Sequence, residues 1–355
     1  MTARDVVSVA FVVPLQGPTG IYGPSCLACG ELAVEQLNAV SGIGGRQVEL
    51  VVVDAGREPA AVAEEVRLLV DSGRVQAVAG WHISAVRQAV TRVVGGRVLY
   101  AFAAMHEGRD DTPGVFLIGE RPINQLLPAA HWMREELSIG RWAIVGNDYV
   151  FPRVTGATAR LALEDTPSQV VSETYVPLGT TDFGGVIRDL SRLPVDGVIM
   201  LLMGQDAVHF NRQFARAGLA SELPRLSPAV EENTLLAGGA GANEGVYAAA
   251  AYFDGLDTAE GAELARAYYA RWGRWAPALN AVGESCYEAI LFLAQVVDLC
   301  GSLDVRRVRS LESGQFWQSP RGLVRLAGNL VDQDVYVARA VGLEFEVAAQ
   351  IARAH

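Results

Sequence analysis

Histidine and cysteine are the residues best suited to catalysis or metal binding, and the chain has five of the first and four of the second. No histidine stands at metal-ligand spacing from a cysteine or a carboxylate, and the sequences His-Glu-x-x-His and Gly-x-Ser-x-Gly are absent. A Ser-His-Asp triad forms only in three dimensions, so the sequence leaves that arrangement open. We therefore expect a protein that is not an enzyme, with no cofactor and no metal.

Cys26 and Cys29 form a Cys-x-x-Cys sequence near the start of a predicted helix. Because a helix N-terminus lowers the pKa of a thiol, a redox role is one interpretation. The interpretation that we favour is that both are small core residues one helical turn apart. Zinc would need two further ligands, and no second Cys/His pair has suitable spacing.

All 29 basic residues are arginine, and no lysine is present. This excludes a P-loop lysine under a phosphate, a Schiff-base lysine and a Ser-Lys dyad. The formal charge of −11 argues against direct contact with the phosphate backbone of a nucleic acid.

Apolar segments typical of buried strands alternate with segments of helical spacing along most of the chain. The first series begins with a strand at residues 6–13, a helix at 24–40 and a strand at 48–53, and the alternation restarts with a helix at 124–137. Repeated βαβ units predict mainly parallel sheets covered by helices, and the length of 355 residues predicts about two domains.

The apolar runs are far shorter than the roughly 20 residues that span a bilayer. The first residues, Met1 to Asp5, lead directly into a predicted strand without an apolar signal segment. We therefore expect a cytoplasmic protein; the alternative is a periplasmic or lipid-anchored extracellular protein whose signal was removed.

Several loops and helices resemble the type I periplasmic-binding-protein family, in its branched-chain amino acid and amide branch. Residues 30–38 and 41–46 resemble the first helix and turn of that family. Residues 146–153, Gly-Asn-Asp-Tyr-Val-Phe-Pro-Arg, resemble a segment of the amide- and urea-binding subgroup. Residues 80–84 resemble the loop that carries a ligand-binding serine, and residues 251–253 resemble a crossover strand near the hinge.

The resemblance covers the chain from about residue 6 to 345 and implies an α/β fold of two Rossmann-like lobes joined by a three-crossover hinge. It places residues 1–120 and 252–325 in the N-terminal lobe, and residues 121–251 and 326–355 in the C-terminal lobe. It implies that the lobes close on a small molecule without performing chemistry. Ligands of such sheets lie beyond the carboxyl ends of the strands.

In the first lobe the resemblance points to five residues. The hydroxyl of Ser84, with the N–H groups of the helix that it opens, could bind a carbonyl or carboxylate oxygen, and Ser84 could equally be a helix cap. His82 could bind an amide or face water. Phe102 and Ala104 fall where the family often has a hydroxyl-bearing wall, and Tyr22 could close over the ligand.

In the second lobe Tyr149 could stack on a flat amide, with the alternative that it belongs to the core. The neighbouring Asp148 could cap the helix that follows it. Gln205 could pair with an amide as donor and acceptor, or simply begin a helix. Tyr252 is expected near the hinge.

This lining is aromatic and largely uncharged, which favours a small neutral ligand. Amino-acid binders of the family usually place a threonine where Ala104 stands, and an acidic partner for the ligand's ammonium where Ala229 stands. Glu231 and Glu232 follow directly, so a shift of two residues in the alignment would restore that partner. An unpaired buried ammonium is costly, so the two alanines argue against a zwitterionic amino acid.

The resemblance is strongest to the amide-sensing negative regulator of aliphatic amidase operons. It implies a cytoplasmic sensor of an amide or urea that regulates a catabolic operon through an RNA-binding antitermination partner. The alternative is the solute-binding receptor of an ABC importer for amides, urea or branched-chain amino acids, with a permease as partner. Either protein could form a homo-oligomer.

Overall fold

A computed structural model describes residues 6–108, 110–164, 166–308 and 314–351. Met1 to Asp5 and His355, which entered the sequence analysis, lie outside the described residues.

The described residues form strands and helices in an alternating order for most of their length. The strands are β1 (Val6–Val13), β2 (Gln47–Asp54), β3 (Ala77–Gly80), β4 (Leu99–Phe102), β5 (Val115–Leu117), β6 (Arg141–Asn147), β7 (Gln169–Val176), β8 (Gly197–Leu201), β9 (Arg225–Ser227), β10 (Val246–Ala250), β11 (Phe316–Ser319), β12 (Gly322–Ala327), β13 (Leu330–Asp332), β14 (Val335–Val341) and β15 (Glu344–Ile351). The helices are α1 (Gly23–Val40), α2 (Pro59–Asp71), α3 (Ser84–Val94), α4 (Pro122–Leu137), α5 (Val150–Glu164), α6 (Gly184–Leu190), α7 (Gln205–Arg216), α8 (Glu232–Gly238), α9 (Ala240–Asn243), α10 (Ala259–Trp272), α11 (Ala281–Cys300) and α12 (Val305–Val308).

The chain divides into two compact units, each made of two separate segments. Unit 1 contains residues 1–119 and 257–333, and unit 2 contains residues 120–256 and 334–355. The sequence analysis places the later boundaries at 252 and 326 instead. The structure assigns residues 326–333 to unit 1 because β12 and β13 pair with each other and β13 pairs with β5.

The sheet of unit 1 has the strand order β11-β12-β13-β5-β4-β3-β1-β2. β1 to β5 are parallel, and β12 is antiparallel to both of its neighbours. The chain moves from β1 to β2 in one direction and then back past β1 to β3. Right-handed crossovers therefore place α1 on one face of the sheet and α2 and α3 on the other.

The sheet of unit 2 has the order β15-β14-β10-β9-β8-β6-β7. Its first five strands in the chain, β6 to β10, pair in parallel, and β14 and β15 add an antiparallel edge. The prediction of an α/β fold with two mainly parallel sheets is confirmed.

The two cores follow from the apolar runs of the sequence. β1 is buried along nearly its whole length, as expected for a central parallel strand. α11 is buried on most of its surface and packs against α1, β3 and β4. In unit 2, Phe183, Phe210 and Phe214 form the aromatic centre of one buried cluster.

In the described part of the chain, no helix combines the length and the apolar character that a membrane span needs.

Candidate functional site

The eight residues predicted to bind ligand all lie at or just beyond the carboxyl ends of parallel strands. Five are in unit 1 and three are in unit 2. In unit 1 they follow or end β1, β3 and β4, which are neighbours in the sheet. In unit 2 they follow β6, β8 and β10, in a sheet where β9 lies between the last two. These are the strand ends at which parallel sheets bind ligands. By unit, the residues are Tyr22, His82, Ser84, Phe102 and Ala104 in unit 1, and Tyr149, Gln205 and Tyr252 in unit 2.

Ser84 is the first residue of α3, and its hydroxyl donates a hydrogen bond to Oε2 of Glu107 at 2.7 Å. The helix cap itself is Ile83, which has no capping side-chain bond. The capping alternative for Ser84 is therefore wrong. Glu107 lies on the loop after β4 and is absent from the predicted site, because no periodicity or motif in that loop marks it.

Glu107 belongs to an ion-pair cluster with Arg87 and Asp110. Nη2 of Arg87 lies 2.6 Å from Oε1 of Glu107, and Nη1 lies 2.5 Å from Oδ2 of Asp110. Burial acts to raise the pKa of Glu107, but the Ser84 hydrogen bond and the Arg87 charge together hold that pKa below its usual range. Glu107 is therefore ionised at neutral pH.

His82 is buried, and both of its ring nitrogens are engaged within unit 1. Nδ1 lies 2.9 Å from the carbonyl oxygen of Val12, so Nδ1 carries the proton and donates it. Nε2 then accepts a hydrogen bond from the hydroxyl of Tyr100. Burial lowers the pKa of His82 to about 4, so the imidazole is neutral at pH 7. A ligand could bind a ring nitrogen only by replacing one of these partners.

Phe102 and Ala104 are buried apolar residues at the end of β4 and just after it. The Phe102 ring meets His82 edge-on, with ring centroids 5.1 Å apart. The guanidinium of Arg87 lies 5.5 Å from the same ring's centroid. Ala104 is buried and offers no side-chain hydrogen bond.

Tyr22 ends a 3-10 turn in the loop that follows β1, and it is buried. Its ring packs edge-on against Trp81 with centroids 4.9 Å apart. The carboxylate of Asp54 fixes the start of this loop, since it accepts hydrogen bonds from the backbone N–H of Leu15 at 2.9 Å and of Gly56 at 2.8 Å. The loop that carries Tyr22 is therefore anchored to β2.

Asp206 and Asn147 connect three loops of unit 2, a role that the sequence analysis did not anticipate. Oδ2 of Asp206 accepts hydrogen bonds from Nδ2 of Asn147 at 2.7 Å and from the backbone N–H groups of Gly179 and Thr180. Oδ1 of Asn147 accepts from the N–H of Met203 at 2.8 Å. In the sequence these are two polar residues: Asn147 ends the buried strand β6, and Asp206 lies in the first turn of α7, which follows β8.

Two of the three predicted ligand residues of unit 2, Tyr149 and Gln205, start from these fixed loops. Tyr149 is half-buried and precedes α5, while Gln205 is half-buried and opens α7. Tyr252 follows β10 and is buried. The carboxylate of Asp148 pairs with Arg153 at 2.8 Å on the exposed surface.

The two carboxylates after Ala229 have structural partners. Glu231 forms a capping box with Thr234 at the start of α8. Oε1 of Glu232 accepts a hydrogen bond from the N–H of Asp254 at 2.9 Å, and burial raises the pKa of Glu232 to about 8. Glu231 is therefore engaged within unit 2, whereas Oε2 of Glu232 is buried without a hydrogen-bond partner among the described residues.

Cys26 and Cys29 are buried free thiols on α1. Burial, with the nearby Cys286 and Glu284, raises the pKa of Cys29 well above its usual value. A thiol that resists ionisation is a poor nucleophile, so the redox interpretation loses its support. Within the described residues, no group of three or more His, Cys, Asp or Glu side chains could hold a metal ion.

Two cavities in unit 1 lie away from the predicted ligand residues. One, of about 250 Å³, lies beside Pro113, Phe116 and Val305. The other, of about 300 Å³, lies between α1 and β2 and is flanked by Glu31 and Glu35. None of the eight residues lines either cavity.

Known proteins share this architecture. Residues 6–344 match the family described as periplasmic binding protein. A solute-binding protein of an ABC transporter from R. palustris, solved with benzoate, aligns with a TM-score of 0.84 at 18% identity over 98% of this chain and 97% of that one. An ABC transporter substrate-binding protein from Sphaerobacter thermophilus aligns with a TM-score of 0.83 at 23% identity over 98% of both chains.

A third structure is the branched-chain amino acid transporter substrate-binding protein of Streptococcus pneumoniae, in complex with isoleucine. It aligns with a TM-score of 0.84 at 16% identity over 98% of this chain and 100% of that one. At such identities the structures support the fold, and the resemblance to the amide- and urea-binding subgroup stays a prediction. The family match spans most of the chain, and the chain therefore belongs to the periplasmic binding protein family.

Proposed function

We propose that this protein is the solute-binding receptor of an ABC importer and that its ligand is a small neutral molecule with an amide or urea group. The family match over residues 6–344 carries the receptor part of the proposal. The similar structures described above are named as transporter binding proteins, two of them of ABC transporters, which favours this function over the sensor expected from the sequence. The proposed event is binding alone, with no bond made or broken in the ligand.

The ligand class rests on the side chains at the strand ends. None of the eight predicted residues is charged at neutral pH, since burial keeps His82 neutral. Ala104 and Ala229 stand where amino-acid binders are expected to carry their anchors, and Glu231 is engaged in a capping box at the start of α8. A neutral amide can satisfy such a surface without burying an unpaired charge.

The receptor function implies a location outside the cytoplasmic membrane and a permease partner. The cytoplasmic sensor remains the second candidate, because residues 146–153 resemble the amide- and urea-binding subgroup. The neighbouring genes and the full native N-terminus distinguish the two. Permease genes together with a signal or lipobox would support the receptor, whereas a gene for an RNA-binding antitermination protein beside this one would support the sensor.

The ligand class is tested by isothermal titration calorimetry with acetamide, urea, benzamide, benzoate and isoleucine. We expect at least one of the three neutral compounds to bind more tightly than benzoate or isoleucine. A protein that bound isoleucine tightly and none of the three neutral compounds would overturn the proposed ligand class, while leaving the receptor function in place.

A further inference from the structure

The cluster of Arg87, Glu107 and Asp110 places more negative than positive charge at the carboxyl ends of β3 and β4. One guanidinium meets two carboxylates, at 2.6 Å and 2.5 Å. The Arg87 and Glu107 side chains are 5% and 13% exposed, so water screens their charges only weakly. The three side chains together carry one net negative charge.

Glu107 occupies the position at which Ser84 was expected to hold a ligand oxygen. Its Oε2 accepts the Ser84 hydroxyl at 2.7 Å, directly at the start of α3. The N-terminus of a helix favours a negative group, and here the chain supplies that group itself. An anionic ligand could therefore bind at this helix N-terminus only by displacing the Glu107 carboxylate.

We infer that Glu107 is a specificity-determining residue, which selects a ligand with N–H donors and rejects the corresponding carboxylate. The inference rests on the proposed function and names the residue that sets its ligand class. Two carboxylates that share one site repel each other, so a ligand carboxylate beside Ser84 would bind only after protonation or after displacement of Glu107. Displacement would also separate Glu107 from the buried Arg87, which is costly.

An amide group would bind at the same place without that electrostatic penalty. Its NH₂ can donate to Glu107, and its carbonyl can accept from the first turn of α3. Oε1 of Glu107 already accepts from Arg87 at 2.6 Å and from Nε2 of Gln88 at 3.3 Å. The hydrogen bond from Gln88 is the longest of the three side-chain hydrogen bonds to Glu107. A ligand N–H would therefore replace it with the smallest loss of hydrogen-bond energy.

The test compares benzamide with benzoate, which have the same ring and differ in the amide and carboxylate groups. Calorimetric titrations at pH 7 use the wild-type chain, Glu107→Gln and Asp110→Asn. Both variants remove one negative charge from the same cluster, and only Glu107 contacts Ser84. We expect the wild type to bind benzamide at least about tenfold more tightly than benzoate, and Glu107→Gln to reduce that ratio at least about tenfold. Asp110→Asn should change the ratio less than about threefold.

Three results would overturn the inference. Wild-type affinity for benzoate equal to or above that for benzamide would exclude selection against the carboxylate, whatever the folding of the variants. Equal changes of the ratio in the two variants would assign the effect to total charge and not to Glu107. If neither compound bound to any of the three proteins, and circular dichroism showed that the proteins were folded, the proposed ligand class and this inference would both be overturned.

Discussion

His82 is held between the Val12 carbonyl and the Tyr100 hydroxyl, and its burial favours the neutral ring. The pKa of His82 is lowered to about 4 from an ordinary value of 6.5 because the ring is buried. The unfolded chain therefore binds a proton more strongly than the folded chain. The stability that His82 contributes is complete above pH 6.5 and is lost as the pH falls towards 4, by about 3 kcal/mol in total.

Urea unfolding at pH 7.5 and pH 5 measures this loss. Wild type should lose more stability between the two pH values than His82→Gln, which is expected to start from a lower stability because the Val12 carbonyl and the Tyr100 hydroxyl lose their partner. His131 is exposed, and His131→Gln should reproduce the wild-type pH dependence. Equal pH dependence in wild type and His82→Gln would show that His82 is not held neutral.

Tyr149 is the predicted aromatic contact of unit 2, and its ring and its hydroxyl can be tested separately. Tyr149→Ala should weaken benzamide binding about tenfold, since an aromatic stack contributes about 0.5–1.5 kcal/mol beyond the area that it buries. Tyr149→Phe keeps the ring and should retain most of the affinity. If Tyr149→Ala bound benzamide as the wild type does, Tyr149 would not contact the ligand.

For single residues, the sequence indicated where a residue lies relative to strands and helices better than it indicated which side chains that residue contacts. The loop of Ser84 follows a strand and opens a helix, and this pattern is visible in the residues themselves. The partner Glu107 lies 23 positions further along, and only the pairing of β3 with β4 brings the two loops together. Such a contact depends on tertiary structure, so neither spacing nor composition predicts it.

In unit 2 the loops after β6, β7 and β8 are linked by hydrogen bonds of Asn147 and Asp206, which also bond to each other. Asp206→Ala would leave the N–H groups of Gly179 and Thr180 and the amide of Asn147 without their acceptor. The Asn147 amide is buried, and an unsatisfied buried donor is costly, so we expect a loss of about 1–3 kcal/mol in the free energy of unfolding.

Asp148→Ala is the matched control for Asp206→Ala. Asp148 lies on the same loop as Asn147 but forms an exposed ion pair with Arg153, so its removal should cost less than about 1 kcal/mol. Urea denaturation of the two variants gives both values. A loss for Asp206→Ala as small as that for Asp148→Ala would mean that the loops are held by other contacts.

Most elements were predictable because their apolar residues repeat with the period of a strand or a helix. β9 and α8 were not predicted, and for β9 the buried residues give the reason. β9 has three residues, and its Arg225 is buried where an apolar residue would be expected. Nη1 of that arginine donates hydrogen bonds to Oδ1 of Asn211 at 2.7 Å and to the carbonyl of Ala242 at 3.2 Å. A charged residue with tertiary partners interrupts the pattern on which sequence prediction depends.

At the scale of the whole chain, two α/β units were predictable but the ends of their segments were less so. Each late segment joins a sheet whose other strands lie far earlier in the sequence. β13 pairs with β5 through Leu330 and Leu117, and β14 pairs with β10. The partner of an edge strand is fixed by long-range pairing, and the short strands near the end of the chain carry little information about it.

The proposed ligand residues include Ser84 at the start of α3, and hydrogen exchange can test this contact on the intact chain. Saturating benzamide should slow amide exchange at the start of α3, because a bound ligand suppresses local opening there. At a concentration of about 100 times the dissociation constant, the ligand should also raise the free energy of unfolding by about 2.7 kcal/mol. The exposed β14–β15 hairpin end at residues 341–344 is the internal control and should exchange at an unchanged rate. Unchanged exchange at the start of α3 would contradict the assignment of Ser84 to the ligand site, even if calorimetry showed that benzamide binds.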